Sequence, residues 1–178
     1  MDYPVPFPNA YWVLPGKLLA GPYPGDPFPD AEDERLRRLA RSGIRCVIDL
    51  TEDGEADYYG FDRYLDKLKQ HAGNDGKIVV RRIPIRDRGV PSKLDMKRIL
   101  DEIDLALAED CPVYVHCIGG IGRTGTVVGC YLARHGIAGG EGALEKIARL
   151  RCENENASIS SPESDVQRNM VRSWRKGE

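Results

Sequence analysis

The sequence lacks most of the features by which a chain declares its class. It has three histidines, isolated at 71, 116 and 135, and five cysteines (46, 111, 117, 130 and 152) without a Cys-x-x-Cys pair. That scatter fits neither a disulfide framework nor a zinc ribbon, so no metal or other cofactor is expected. The net charge is −2, from 26 basic and 28 acidic residues, which excludes the broad basic face that nucleic acid or an anionic membrane requires. No apolar run approaches the ~20 residues that span a bilayer. The first ten residues, MDYPVPFPNA, have neither a basic segment nor an apolar one, so no signal peptide is read and a cytoplasmic location is expected. There is no internal repeat.

The 178 residues have an ordinary globular composition, 41% hydrophobic and 30% charged, and the length of one domain. Eight of the 12 prolines lie in the first 30 residues. Residues 1–29 are therefore expected to be an extended, irregular arm laid over the body through Tyr11, Trp12, Val13, Leu14, Leu18 and Leu19, with residues 30–178 as the remaining domain. Residues 30–42 read as a charged helix capped by Asp30 and closed by Gly43. Cys46–Leu50 and Val113–Cys117 are short apolar runs of the kind buried in parallel sheets, and residues 78–85 read as another strand. A helix is expected over 58–71. A stronger one opens at Ser92, with Asp95 three residues on, and carries an apolar stripe at Met96, Ile99, Leu100, Ile103, Ala106 and Leu107. Residues 123–135, 140–152 and 162–175 complete the helices. Strand–helix alternation predicts a single α/β domain, with a mostly parallel twisted sheet covered by helices on both faces.

The chemistry concentrates in VYVHCIGGIGRTG, residues 113–125. A buried strand ends at Cys117, glycines follow at 119, 120 and 122, and a helix begins near Arg123. A glycine-rich turn entering a helix aims successive backbone N–H groups, and the positive end of the helix dipole, into one concavity suited to a phosphate dianion. Ile118, Gly119, Gly120, Ile121 and Gly122 would supply those N–H groups. Arg123 would chelate two phosphate oxygens with its planar fork. A thiol beside a helix N-terminus and a guanidinium commonly titrates at ~3.5–7.5 and is then a nucleophile at cellular pH. No Gly-Lys-Ser/Thr follows the glycines, so a nucleotide-binding P-loop is excluded.

HCIGGIGRTG resembles the active-site loop of the cysteine-based protein tyrosine phosphatases, and the chain length resembles their dual-specificity branch. The resemblance implies that Cys117 forms a phosphocysteine intermediate while Arg123 binds the phosphoryl oxygens. It also implies that the Thr124 hydroxyl donates to the Cys117 sulfur and that His116 sits behind the thiolate and orients the loop. A leaving alkoxide or aryloxide needs a proton. Asp87 follows a strand, precedes Gly-Val-Pro, and lies 30 residues before Cys117, a distance similar to that of the family's general acid. The competing reading pairs Asp87 with Arg86 or Arg88 at the surface. Asp49, Asp95 and Asp101 are weaker candidates for the acid. Gln167 resembles a glutamine that positions water in some relatives, against a plain exposed helix residue. Cys46 is read as a buried strand residue, against the protective disulfide that a second cysteine forms with the nucleophile in some relatives. Arg81, Arg82, Arg86 and Arg88 are a solvated face or a basic rim for a polyanion. Tyr58, Tyr59 and Tyr64 are read as core or surface residues, against walls of a phosphotyrosine pocket.

The implied activity is hydrolysis of phosphotyrosine, and of phosphoserine or phosphothreonine as well, in proteins. Three alternatives are weighed against it. An inositol-phosphate or phosphoinositide phosphatase of the same superfamily would more often place lysine or histidine between Cys117 and Arg123. An RNA 5′-phosphatase would need a basic tract. A phosphoprotein-binding module would not turn over.

Overall fold

A computed structural model of the chain describes residues 3–61, 64–72 and 77–178. The elements run β1 (Tyr11–Leu14), β2 (Leu18–Gly21), α1 (Pro29–Arg41), β3 (Cys46–Asp49), α2 (Glu55–Tyr58), α3 (Leu65–Ala72), β4 (Val79–Arg82), α4 (Lys93–Ala108), β5 (Val113–His116), α5 (Gly122–Arg134), α6 (Glu141–Leu150) and α7 (Asp165–Ser173). The five strands form one sheet in the order β1-β2-β5-β3-β4. Only the β1–β2 hairpin is antiparallel; β2, β5, β3 and β4 run parallel.

The expected α/β architecture is present, and the N-terminal segment departs from expectation. Residues 11–14 and 18–21 are strands, and β2 lies beside the central strand β5, where Leu18, Leu19 and Ala20 are buried. Proline misled the reading because the prolines flank the hairpin; the only one between its strands is Pro15, in the turn. Helix α1 starts one residue early, at Pro29, with Phe28 as its N-cap and no side-chain cap. Asp30 therefore sits in the first turn, where it still faces the positive end of the helix dipole. The helix expected over 58–71 is two short helices, with Tyr59 and Gly60 ending the first; residues 62 and 63 of that span lie outside the described residues. At Ser92 the expected cap forms, its hydroxyl accepting the Asp95 N–H at 3.0 Å.

Two apolar layers hold the sheet. One face meets α4, α5, α6 and α7 through Met96, Ile99, Ile103, Val127, Leu132, Ile147 and Val171. The other meets α1 and α3 through Leu36, Leu39 and Leu68, with Tyr23, Tyr64 and Tyr114. Twelve of the thirteen residues of α5 are buried, so this helix, which opens at the glycine loop, cannot shift without disturbing the larger core. Gly21 and Asp49 both pair with His116, and Asp49 also pairs with Arg82. The four parallel strands thus end at one level, and the loops after them meet at the carboxyl edge of the sheet, where open α/β sheets place their ligand sites.

Candidate active site

The loop after β5 is shaped by what touches it. Gly120 has φ of +69°, and a Cβ there would stand 2.4 Å from the backbone of Gly21 and Pro22; only glycine allows this approach. The Tyr23 N–H donates to Ile118 O at 2.9 Å, and Ser161 Oγ donates to Ile121 O at 2.7 Å. Both ends of the turn are thereby fixed, while the first N–H groups of α5 lack partners within the helix.

Cys117 is 3% exposed at the base of this turn. The Thr124 hydroxyl, in the first turn of α5, stands 3.2 Å from its sulfur. His116 is fully buried behind it, with Nε2 2.7 Å from the Tyr64 hydroxyl and Nδ1 3.3 Å from Cys117 O. Burial lowers the pKa of this imidazole, and the nearby Arg123 charge acts in the same direction, against the pull of Asp49. His116 is therefore a neutral hydrogen-bonding residue within a cage of Tyr23, Tyr64 and Tyr114 rings.

Arg123 is 2% exposed, and its protein contacts run through the two terminal nitrogens. Nη1 donates to Glu55 Oε2 at 2.7 Å and to Ile85 O at 3.1 Å; Nη2 donates to Glu55 Oε1 at 2.5 Å and meets Asp87 Oδ1 at 3.2 Å. Burial works against the arginine's charge, and Glu55, Cys117 and Asp87 together more than offset it, so the net shift is upward. Glu55 responds in kind. Burial pushes its carboxyl up, but Arg123 and the Glu52 N–H at 2.9 Å bring it below the ordinary glutamate range.

Cys117, His116, Thr124, Arg123 and Asp87 are thus brought to one place, with Asp87 on Arg123 and not on Arg86 or Arg88. The weaker acid candidates have structural partners. Asp49 accepts the Thr51 N–H and hydroxyl at 2.9 and 2.7 Å, Asp95 lies at the α4 cap, and Asp101 pairs with Arg134. Gln167 is fully buried, contrary to the exposed alternative. Cys46 faces Val113 and His116 faces Asp49, which sets Cys117 about four residues, roughly 13 Å, beyond Cys46. A disulfide needs Cα atoms within ~7 Å, so a Cys46–Cys117 bridge does not form in this fold. Tyr64 is core, whereas Tyr58 and Tyr59 are an exposed edge-to-face pair. Arg81 pairs with Glu102, and Arg82 with Asp53 at 2.6 Å and Glu52 O at 2.8 Å, so neither belongs to an open basic rim.

Glu55 and Glu52 were missed by sequence reasoning. They sit in TEDGE, an acidic run after β3 that reads as solvated surface. The available signal was Arg123 itself, since a buried guanidinium requires a carboxylate partner. Among the described residues, no group of three His, Cys, Asp or Glu side chains is placed to hold a metal ion, and no helix is long and apolar enough to cross a membrane.

A thiol and an arginine on a glycine turn, faced by a carboxylate from a neighbouring loop, define the cysteine-based tyrosine and dual-specificity phosphatases. The chain belongs to that superfamily. Residues 27–137 match the family described as "Polymorphic toxin system, DSP-PTPase phosphatase". The uncharacterized protein MJECL20 of Methanocaldococcus jannaschii is 39% identical over 77 residues, 43% of this chain and 50% of that protein. The phosphatidylinositol 3,4,5-trisphosphate 3-phosphatase and protein-tyrosine-phosphatase PTEN1 of Arabidopsis thaliana is 30% identical over 161 residues, 89% of this chain and 35% of that protein. The chain therefore spans half or less of the length of these curated relatives. In fold it is similar to kinase associated phosphatase with its catalytic-site cysteine changed to serine (TM-score 0.73, 21% identity, 93% of this chain and 91% of that one). It is also similar to PTPMT1 in complex with PI(5)P (TM-score 0.69, 21% identity, 93% and 94%).

Proposed function

We propose that the protein hydrolyses phosphomonoesters on proteins, phosphotyrosine first and phosphoserine or phosphothreonine as well, without a metal and in a reducing, cytoplasmic setting. The observation that carries this is the convergence at one sheet edge of Thr124 Oγ1 on Cys117 Sγ and Asp87 on Arg123, each at 3.2 Å. The Cys117 thiolate attacks phosphorus in line. As the S–P bond forms and the P–O bond breaks, Asp87 gives its proton to the leaving oxygen. The loop N–H groups and Arg123 hold the three equatorial oxygens, where charge develops. The Thr124 hydroxyl then stabilises the departing sulfur while water, losing its proton to Asp87, attacks phosphorus and releases phosphate.

An inositol phospholipid is the second reading, favoured by the names of the Arabidopsis relative and of the PTPMT1 complex. Against it stand the five uncharged residues between Cys117 and Arg123 and the internal pairing of Arg81 and Arg82, which leave few cations for further phosphates. The test measures turnover of an aryl phosphate, phosphotyrosine and phosphoserine peptides, and PI(5)P vesicles, each with EDTA. Peptide and aryl turnover unaffected by EDTA and abolished in Cys117→Ser supports the proposal. Asp87→Asn should slow a poor leaving group by ~10²–10⁴. Turnover confined to the lipid, or loss on chelation, overturns it, and binding without turnover returns the chain to a phosphoprotein-binding module.

A further inference from the structure

The segment that carries Asp87 is held in shape from outside. Arg88 has φ of 57°, a left-handed conformation that residues with side chains rarely adopt and that persists where neighbours impose it. Gly89 N–H folds back onto Arg86 O at 2.9 Å, and the Asp87 N–H donates to Glu52 Oε2 at 3.2 Å. The next two carbonyls are caught by α7. Ser164 Oγ donates to Arg88 O at 3.0 Å, and Gln167 Nε2 donates to Gly89 O, also at 3.0 Å.

The same two residues form the capping box of α7. The Ser164 N–H donates to Gln167 Oε1 at 3.0 Å and the Gln167 N–H to Ser164 Oγ at 3.4 Å. A capping box uses only the amide oxygen of its third residue. Here the amide nitrogen is directed to another loop, from a side chain that is fully buried. The amide also lies against the start of α5, since a Cβ at Gly122 would come within 3.0 Å of both Nε2 and Oε1. One glutamine thus touches the acid loop on one side and the phosphate loop, next to Arg123, on the other.

We infer that Gln167, assisted by Ser164, is a positioning residue that ties the Asp87 loop to the phosphate loop and so keeps the acid against Arg123. The inference rests on the phosphatase reading above. The effect is read in kcat/KM, which reports the step in which Asp87 gives its proton to the leaving oxygen and not the later attack of water, so it appears only where that oxygen needs a proton. Water positioning, the role expected by resemblance, acts on the second step, which follows departure of the leaving group and leaves kcat/KM unchanged.

The test compares phenyl phosphate, a poor leaving group, with dinitrophenyl phosphate, which leaves without help. Gln167→Met keeps the volume and removes the donor. It should lower kcat/KM for phenyl phosphate about tenfold or more and leave the dinitrophenyl ester within about twofold. In an Asp87→Asn background it should have no further effect. Ser164→Ala should show the same pattern more weakly, and decides the matter should Gln167→Met not fold. Equal losses on both esters, an unchanged rate with phenyl phosphate, or a loss that persists without Asp87 overturns the inference. Wild-type turnover of the dinitrophenyl ester, and its absence in Cys117→Ser, reports on the phosphatase reading alone, so the two failures are distinguishable.

Discussion

Glu55→Gln separates two accounts of the carboxylate on Arg123. In one, Glu55 aims the guanidinium; in the other it is only a counter-ion. The pair is buried, with two bonds of 2.5 and 2.7 Å on an arginine that is 2% exposed. Charge-assisted bonds contribute ~1.5–3 kcal/mol each, and removing one member of a buried pair costs ~3–5 kcal/mol. Glutamine keeps one acceptor, and Ile85 O, Leu50 O and Asp87 remain beside Arg123. The stability loss should therefore lie lower, at ~1–3 kcal/mol, read from urea unfolding midpoints. The catalytic loss should be larger in proportion. Without its second anchor the guanidinium is free to swing toward Asp87, and a displacement of about 1 Å costs ~10² in rate. We expect kcat/KM for an aryl phosphate to fall by about that factor, and phosphate and vanadate to inhibit more weakly. The counter-ion account predicts the opposite, because deleting a negative charge beside the phosphate site should tighten anion binding. Wild-type turnover with unchanged or tighter vanadate inhibition would refute the positioning argument.

Two further predictions follow from the buried titrating groups. The folded-state pKa of His116 lies below its unfolded value because of burial, so the unfolded chain takes up this proton first as pH falls. That stabilising contribution is complete above about pH 6.5 and is lost below it, at up to ~1.4 kcal/mol per pH unit; unfolding of wild type and His116→Asn at pH 7 and pH 5 should show a steeper loss in wild type, and parallel losses would contradict the assignment. Burial pushes the Cys46 thiol up to about 11 and raises that of Cys130 further. In native protein at neutral pH, iodoacetamide should therefore spare both and modify exposed Cys152, while vanadate protects Cys117; peptide mapping that finds Cys46 labelled would refute this.

The superfamily was legible in the sequence because its signature loop is local. A thiol, three glycines, an arginine and a threonine within eight residues need only a strand before them and a helix after them to converge, and both are visible in the hydrophobic pattern. The α/β class was legible for the same reason, since strand and helix periodicities are properties of short segments. Asp87 was singled out by analogy of position, because nothing local sets it apart from an ordinary aspartate between two arginines; the structure places it on Arg123.

What the sequence hid depends on register and on contacts between distant segments. Residues 11–21 looked like an arm because proline content is local, whereas the pairing of β2 with β5 is not. Cys46 and Cys117 are separated because β3 and β5 pair Cys46 with Val113, which no composition reveals. Glu55 lies 68 residues from Arg123 and Gln167 lies 78 from Gly89, and each becomes part of the site only when four strand ends meet. The sequence by itself determined the candidate loop and the class of fold. The tertiary structure decided which carboxylate holds the arginine, which contacts hold the Asp87 segment, and which thiols lie beyond each other's reach. The physical reason is that covalent spacing specifies a turn, whereas long-range burial selects the partners of a buried charge.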